Sequence, residues 1–406
     1  MNTGDTAFVL ISAAMVMLMT PGLALFYGGM VRSKNVLGTL MHSFMILGII
    51  TLEWVLWGYS MAFGPDHGGI IGGLNWFALK GVGLSPSSQY GTTVPHVAFM
   101  VFQCMFAVIT PALIAGTFAE RMKFGSFLIF TLLWATLVYN PVAHWVWGSG
   151  GWMGKMGALD FAGGTVVHIT SGISALAAAL VIGKRRGYGT VAYIPHNVPM
   201  TVTGAGLLWF GWFGFNAGSA LACNGIAANA FLVTHVSSAV AALFWTCTEW
   251  IHRGRPTTLG AASGAVAGLV AITPASGFVG PISAISIGAV AGMLCYGGVL
   301  IKSKAGYDDS LDVVGIHGLG GTWGALAVGL FACKLINPGG ADGLFFGNPG
   351  QLWIQFVAIV VAWIFSFIMT FIILKMLERT VGLRVTSEEE ERGIDISLHN
   401  ETGYNF

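Results

Sequence analysis

Two of the ten histidines close motifs that resemble each other. Leu159-Asp160-Phe161-Ala162-Gly163-Gly164-Thr165-Val166-Val167-His168 and Leu311-Asp312-Val313-Val314-Gly315-Ile316-His317-Gly318 each run Leu-Asp, then glycine, then histidine, and the histidines stand 149 residues apart. Imidazole carries a donor and an acceptor and changes charge near neutral pH, so two such rings facing each other would hold or pass a proton. A blander reading has two unrelated rings, each bonded to a core carbonyl. Asp160 and Asp312 also have a local explanation, because aspartate at a helix start accepts hydrogen bonds from unpaired first-turn N–H groups.

A second constellation is aromatic. Phe102 and Phe106 stand at i, i+4, and Trp212, Phe215 and Ser219 at i, i+3, i+7, so each set shares a helix face. Alone, such stripes are usually packing. Ser219 and the turn Trp147-Gly148-Ser149-Gly150-Gly151 fall near the outer ends of their segments. Ring faces and one hydroxyl acceptor at such a mouth suit a small cation, at about 0.5–2 kcal/mol per ring contact.

The elements that must position these residues are membrane helices. The chain of 406 residues is 55% hydrophobic and 9% charged, where a soluble domain carries about a quarter charged residues, and its mean hydropathy is +0.76. That composition excludes an ordinary soluble domain, disorder and nucleic-acid binding, and a net charge of +1 gives no steering towards acidic partners. The five cysteines lie in apolar segments without C-x-x-C spacing and read as free, buried thiols.

Uncharged gaps outline the spans, each of which needs about 20 residues. The gap 187–248 must hold two helices broken at Asn216 to Gly225, and 256–301 two more broken at Thr273 to Gly277. With Val36 to Phe63, interrupted only by Glu53, the expectation is an all-α polytopic membrane protein of eleven helices, centred near residues 19, 49, 106, 134, 172, 209, 239, 266, 292, 323 and 363. An N-terminus outside puts 15 of the 18 Lys and Arg residues on the cytoplasmic side, leaving Lys80, Lys155 and Lys334 outside. The first span lacks a basic n-region and a cleavage signature, so it reads as a retained helix.

The span with His168 then runs inward and the span with His317 outward, which predicts two inverted five-helix repeats, about 7–183 and 198–335, and an extra helix at about 350–377. His168 lies roughly 12 Å below the outer start of its helix and His317 roughly 7 to 8 Å above the inner start of its own. In a hydrocarbon core about 30 Å thick the two rings would be neighbours, and ionisable residues inside membranes usually face a cavity or one another.

These motifs, with Pro21-Gly22-Leu23-Ala24-Leu25-Phe26-Tyr27-Gly28-Gly29, Ala119-Glu120-Arg121 and Trp212-Phe213-Gly214-Phe215-Asn216-Ala217-Gly218-Ser219, make the chain resemble the Amt/Mep/Rh ammonium transporter family over nearly its whole length. Trp147 and Ser219 favour the bacterial or archaeal Amt branch, since the Rh branch usually lacks both. The resemblance implies that Trp147, Phe102 and Ser219 form an external ammonium site and that Asp160 is an acidic residue needed beside it. It matches Phe106 and Phe215 to the stacked pair that constricts the pore, and His168 and His317 to the twin histidines lining it. Trp212, Tyr139 and Asp312 take supporting places.

Val381-Gly382-Leu383-Arg384-Val385, Glu388 to Glu391 and Gly393-Ile394-Asp395 resemble the family's cytoplasmic tail, which crosses to neighbouring subunits of a homotrimer. Members with this tail are commonly blocked by a trimeric PII signalling protein, whereas composition alone reads the run as solvated charge. The expected division is a transmembrane domain over 1–380 and a tail over 381–406, in the inner (cytoplasmic) membrane, with no fused sensor domain.

A bare charge at the bilayer centre costs several kcal/mol. The expected mechanism is therefore desolvation and deprotonation of ammonium, or of methylammonium, followed by passage of neutral ammonia, with a proton path from Asp160 through His168 to His317. Potassium has no proton to shed and no carbonyl ring to replace its water. Electrogenic transport and passive ammonia conduction are both compatible with these residues. No phosphate loop, HExxH or G-x-S-x-G motif suggests an enzyme, and no cofactor or metal is expected. The competing readings are an ammonium sensor signalling through a PII partner and a membrane redox protein holding haem between histidines of facing helices.

Overall fold

The structure, a computed structural model, describes residues 1–405; Phe406, the last residue of the expected tail, lies outside the described residues. Among the described residues, ten helices are long and apolar enough to cross a membrane. In chain order they are α1 (Thr3–Met30), α2 (Ser33–Phe63), α3 (His96–Ala115), α4 (Phe124–Met156), α5 (Gly164–Ile182), α6 (Val198–Gly218) and α7 (Gly225–Arg253). After the shorter apolar α8 (Thr258–Ile272) come α9 (Pro281–Ala305), α10 (Val314–Phe331) and α11 (Pro349–Thr380). All eleven expected centres fall inside these helices, and both expected breaks fall between helices. A two-stranded hairpin, β1 (Asp66–His67) with β2 (Ile71–Gly72), is an addition that the all-helical reading did not foresee.

Local chemistry sets the ends. Asn197, Asn224 and Thr257 precede α6, α7 and α8 and accept first-turn N–H bonds at 2.9–3.1 Å, while Gly254 and Gly306 close α7 and α9 in left-handed conformations at φ 77° and 75°.

Two long-range helix pairs organise the packing. α1 lies along α6, and α5 crosses α10. Without a hydrophobic drive in lipid, such contacts need small residues: a Cβ at Gly204 would enter the backbone of Phe26, and one at Gly172 would enter that of Gly318. The second crossing brings the two histidine-bearing segments together.

Cys104, Cys295 and Cys333 are buried free thiols as expected, but Cys223 and Cys247 are exposed. Cys223 belongs to the turn between α6 and α7, and Cys247 to an outward face of α7, which buries only one side.

The acidic tail run is not simply solvated. Leu383 and Val385 bond the backbone of Lys123 and Arg121, and α12 (Ser387–Arg392) starts with a capping box between Thr386 and Glu389. Glu390 and Asp395 are each 2% exposed. The first holds Arg384 at 2.6 Å and the N–H of Arg186 at 2.7 Å, and the second accepts the N–H groups of Leu37 and Gly38 at the start of α2. Glu388 and Glu391 do face solvent.

Candidate functional site

Both histidines sit on π-helical turns, Gly164–Ile169 in α5 and Val314–Leu319 in α10, a widened geometry often found at functional positions. His168 and His317 are neighbours: their Nδ1 atoms are 3.2 Å apart and their ring centroids 5.3 Å. One nitrogen therefore donates and the other accepts, which gives the two rings complementary tautomers. Among the described residues the Nε2 of His168 is buried without a partner.

The two aspartates divide. Asp160 caps the α5 turn fully: Oδ1 accepts the N–H groups of Gly163 and Gly164 at 2.8 and 2.6 Å, and Oδ2 those of Thr165 and Val166 at 2.8 and 3.1 Å. Burial pushes its carboxyl up, and these four donors pull it back. Asp312 does not cap α10. Its backbone is left-handed at φ 63°, its side chain pairs with Lys302, and the N–H of Val314 goes instead to Asp309 at 2.8 Å. The Leu-Asp symmetry of the sequence thus breaks at the level of hydrogen bonds.

Rings separate two cavities. Phe106 and Phe215 stack with centroids 4.1 Å apart and planes 27° from parallel. On the side away from the tail lies a cavity of about 320 Å³ whose wall includes Phe106, Trp147, Asp160 and Ser219. Trp147 stands edge-on to Phe106 at 6.0 Å and donates its indole N–H to the Asp160 carbonyl at 2.8 Å. The Ser219 hydroxyl donates to the Phe215 carbonyl at 2.9 Å, leaving its lone pairs for a ligand. Phe102 is fully buried and backs Phe106 edge-on at 5.0 Å.

Beyond the stack is a cavity of about 10 Å³ against His168, His317, Trp212 and Phe215, room for about one water-sized molecule. Trp212 lines this smaller cavity: it stacks on His168 at 5.4 Å and its indole N–H is held by Thr273 Oγ1 at 2.8 Å. Tyr139 is buried against Trp54, with ring centroids 6.1 Å apart, and among the described residues its ring touches none of the others in this stack.

Among the wall residues that escaped the sequence reading are Gln103, Phe161 and Phe278. Gln103 carries a buried, unpartnered amide oxygen at the larger cavity, and its place as an uncharged polar residue beside Phe102 in an apolar run was a usable signal. Phe161 and Phe278 meet at 5.6 Å only because the break after α8 folds back against the loop before α5, which no local pattern announces.

On the tail face, charged and polar residues join the Tyr188 and Tyr193 rings around a cavity of about 500 Å³. Arg185 bridges Glu120 at 3.0 Å and Asp308 at 2.8 Å. Burial alone would raise Glu120; Arg185 and Arg32 outweigh it and hold the carboxyl below its usual range.

The two imidazoles are in direct contact, which leaves no room for a macrocycle between them. A bundle of membrane-length helices enclosing a path closed by stacked rings defines a multi-pass membrane transport protein. By sequence, the profile described as Ammonium Transporter Family matches residues 7–404, and the chain belongs to that family. It is 56% identical over 405 residues to an ammonium transporter of Bacillus subtilis (strain 168), covering 100% of this chain and 99% of that one. It is 50% identical over 404 residues to ammonium transporter Amt1 of Archaeoglobus fulgidus, covering 100% of each. A solved structure described as a sensor Amt protein superposes with a TM-score of 0.89 at 31% identity, covering 98% of both chains. The chain's relatives are named as ammonium transporters, not as enzymes.

Proposed function

We propose that this chain carries ammonium, and methylammonium, across the cytoplasmic membrane by separating the proton from ammonia. Ammonium is recruited in the cavity at Trp147, Ser219 and Asp160, with Phe102 supporting Phe106 in its wall, and sheds its water and then its proton. Ammonia passes the Phe106/Phe215 stack into the His168/His317 path, and the proton follows through the paired imidazoles.

The observation that carries this reading is the change in size across one ring pair, from about 320 Å³ to about 10 Å³. A hydrated cation fits the first space and only a small molecule without a water shell fits the second. The neutral form crosses more cheaply, since a bare charge there costs several kcal/mol.

The topology belongs to the same proposal: eleven crossings, N-terminus outside, inverted repeats over 7–183 and 198–335, and an extra helix at 350–377. The pairings of α1 with α6 and α5 with α10 support the repeat. α8 has 15 residues and so reaches about 22 Å. Buried Thr273, Ala275 and Ser276 continue it inside protein and away from lipid, which a crossing requires. The membrane domain covers 1–380 and the tail 381–406, and the resemblance supports a homotrimer regulated at the tail face by a PII-type protein.

The test is the current from proteoliposomes of known orientation after an ammonium pulse, with potassium as control. A transient current to ammonium and none to potassium is expected. Internal pH rising without current would overturn proton co-transfer in favour of passive ammonia conduction. Silence in both readouts would favour the sensor reading, which the likeness to a sensor Amt structure keeps in play.

A further inference from the structure

His144 is fully buried on α4, one turn before Trp147, and lines neither cavity of the transport path. Its Nδ1 lies 2.9 Å from the Ala62 carbonyl and its Nε2 lies 2.9 Å from Asp66 Oδ1. Both partners are acceptors. A carbonyl has no hydrogen to give, and Asp66 Oδ1 already accepts the Gly69 N–H at 2.7 Å. With one proton on the ring, a nitrogen lone pair would face an oxygen lone pair at hydrogen-bond distance; with two, both contacts are satisfied. Moving the proton to Asp66 is disfavoured by the Gly69 donor and by Lys155, whose Nζ stands 3.6 Å from Oδ2. Asp66 and Lys155 are the charged groups that face this ring; the Tyr90 hydroxyl, which accepts the Ser149 N–H at 2.6 Å, is the titratable neighbour on the Asp66 side, and His67 is exposed on β1.

The pair seats the turn that follows α4. A Cβ at Gly148 would enter the His144 ring, and one at Gly150, where φ is 104°, would lie 2.6 Å from the Asp66 side chain. The turn therefore occupies the angle between the two partners. From the other side Trp145 Nε1 donates to the Ile70 carbonyl at 2.7 Å and the Trp152 N–H to the Gly69 carbonyl at 3.1 Å, tying the hairpin to the same turn.

We propose that His144 is a doubly protonated imidazolium whose ion pair with Asp66 is the positioning element that holds Trp147 over the outer cavity. The proposal rests on the reading of Trp147 as part of the recruitment site. Removing the charge while keeping a hydrogen bond is allowed by the geometry: in Asp66→Asn the amide oxygen still accepts the Gly69 N–H and the N–H of a neutral Nε2, giving up only the Nδ1 contact with Ala62, and the turn would stay seated.

Solid-state nitrogen NMR of the histidine-labelled full chain in bilayers at neutral pH tests this. One ring protonated at both nitrogens is expected, lost in His144→Gln and converted to a neutral ring in Asp66→Asn. In proteoliposomes the half-saturating ammonium concentration should stay near wild type in Asp66→Asn and rise several-fold in Asp66→Leu, with the maximal current changed less. The absence of a doubly protonated ring, or its persistence in Asp66→Asn, would overturn the ion pair. An unchanged half-saturation in Asp66→Leu would overturn the positioning role, and should that variant fail to assemble, the spectra of the other two still decide. If Trp147→Leu leaves half-saturation unchanged while the imidazolium is seen, the recruitment reading of Trp147 fails and the ion pair stands.

Discussion

The Nδ1 atoms of His168 and His317 meet at 3.2 Å across 149 residues of chain, so each ring fixes the tautomer of the other. Truncating one leaves a buried nitrogen of its partner unpaired, at about 1–3 kcal/mol. His168→Ala and His317→Ala should each fold but lose most of the ammonium-driven current. The double variant should be little worse than either single one, because residues acting as a unit are not additive. Current and thermal unfolding measured on all four proteins check this, and a full-size selective current in His168→Ala would remove the histidines from the proton path.

Phe215 supplies one half of the stack that separates the two cavities. Phe215→Ala should merge them, at about 3–5 kcal/mol of stability for a buried phenylalanine. A potassium current absent from the wild type should appear, because a continuous aqueous path no longer selects for a molecule that can shed its charge. Currents with ammonium and potassium in turn decide it, and retained selectivity would place the barrier elsewhere.

How much of this site could be read beforehand depended on whether the information was local. The helix centres were readable because uncharged gaps and polar breaks such as Asn216 to Gly225 are properties of contiguous sequence. The contact of His168 with His317 was readable because depth along a helix is fixed by residue count. Asp312 was misread: the motif it shares with Asp160 suggested a cap, but capping depends on backbone angles, and the left-handed Asp312 passes that task to Asp309. Trp212 was legible only as sharing a helix face with Phe215 and Ser219; that it stacks on His168 was not, since facial periodicity says which residues align and not what they meet. The buried tail carboxylates Glu390 and Asp395 were hidden for the same reason, their partners Arg384, Leu37 and Gly38 being revealed only by the docked fold.

Asp160 and Asp312 now make opposite predictions from similar motifs. In Asp160→Asn either orientation of the amide turns N–H groups towards two backbone donors, which should destabilise by about 2–3 kcal/mol and raise the half-saturating ammonium concentration. Asp312→Asn breaks only a partly exposed pair with Lys302, worth about 1 kcal/mol or less. Thermal unfolding and transport of both variants check the contrast. If Asp160→Asn loses stability and keeps its transport affinity, the residue is a cap and nothing more.

The tail face should show the sign of its own electrostatics. Burial would raise Glu120 and Asp308, but Arg185 bridges them, with Arg32 helping on Glu120 and Arg121 on Asp308, so both carboxyls are held below their usual range. An acid whose value is lower folded than unfolded stabilises fully above its unfolded value and loses that contribution as pH falls through the folded one. The protection factors of the Lys123, Val385 and Gly393 amides, exchange rates corrected for the intrinsic pH dependence, should therefore be steady from about pH 5 to 8 and fall below about pH 4, the range of ordinary carboxyls. Arg185→Gln should reverse the sign. It leaves two buried carboxylates short of a counter-charge, at about 3–5 kcal/mol at neutral pH, and burial then raises both, so acidification should restore part of the protection. Exchange in the variant that worsens on acidification, as in the wild type, would show that Arg185 is not what holds these two carboxyls down.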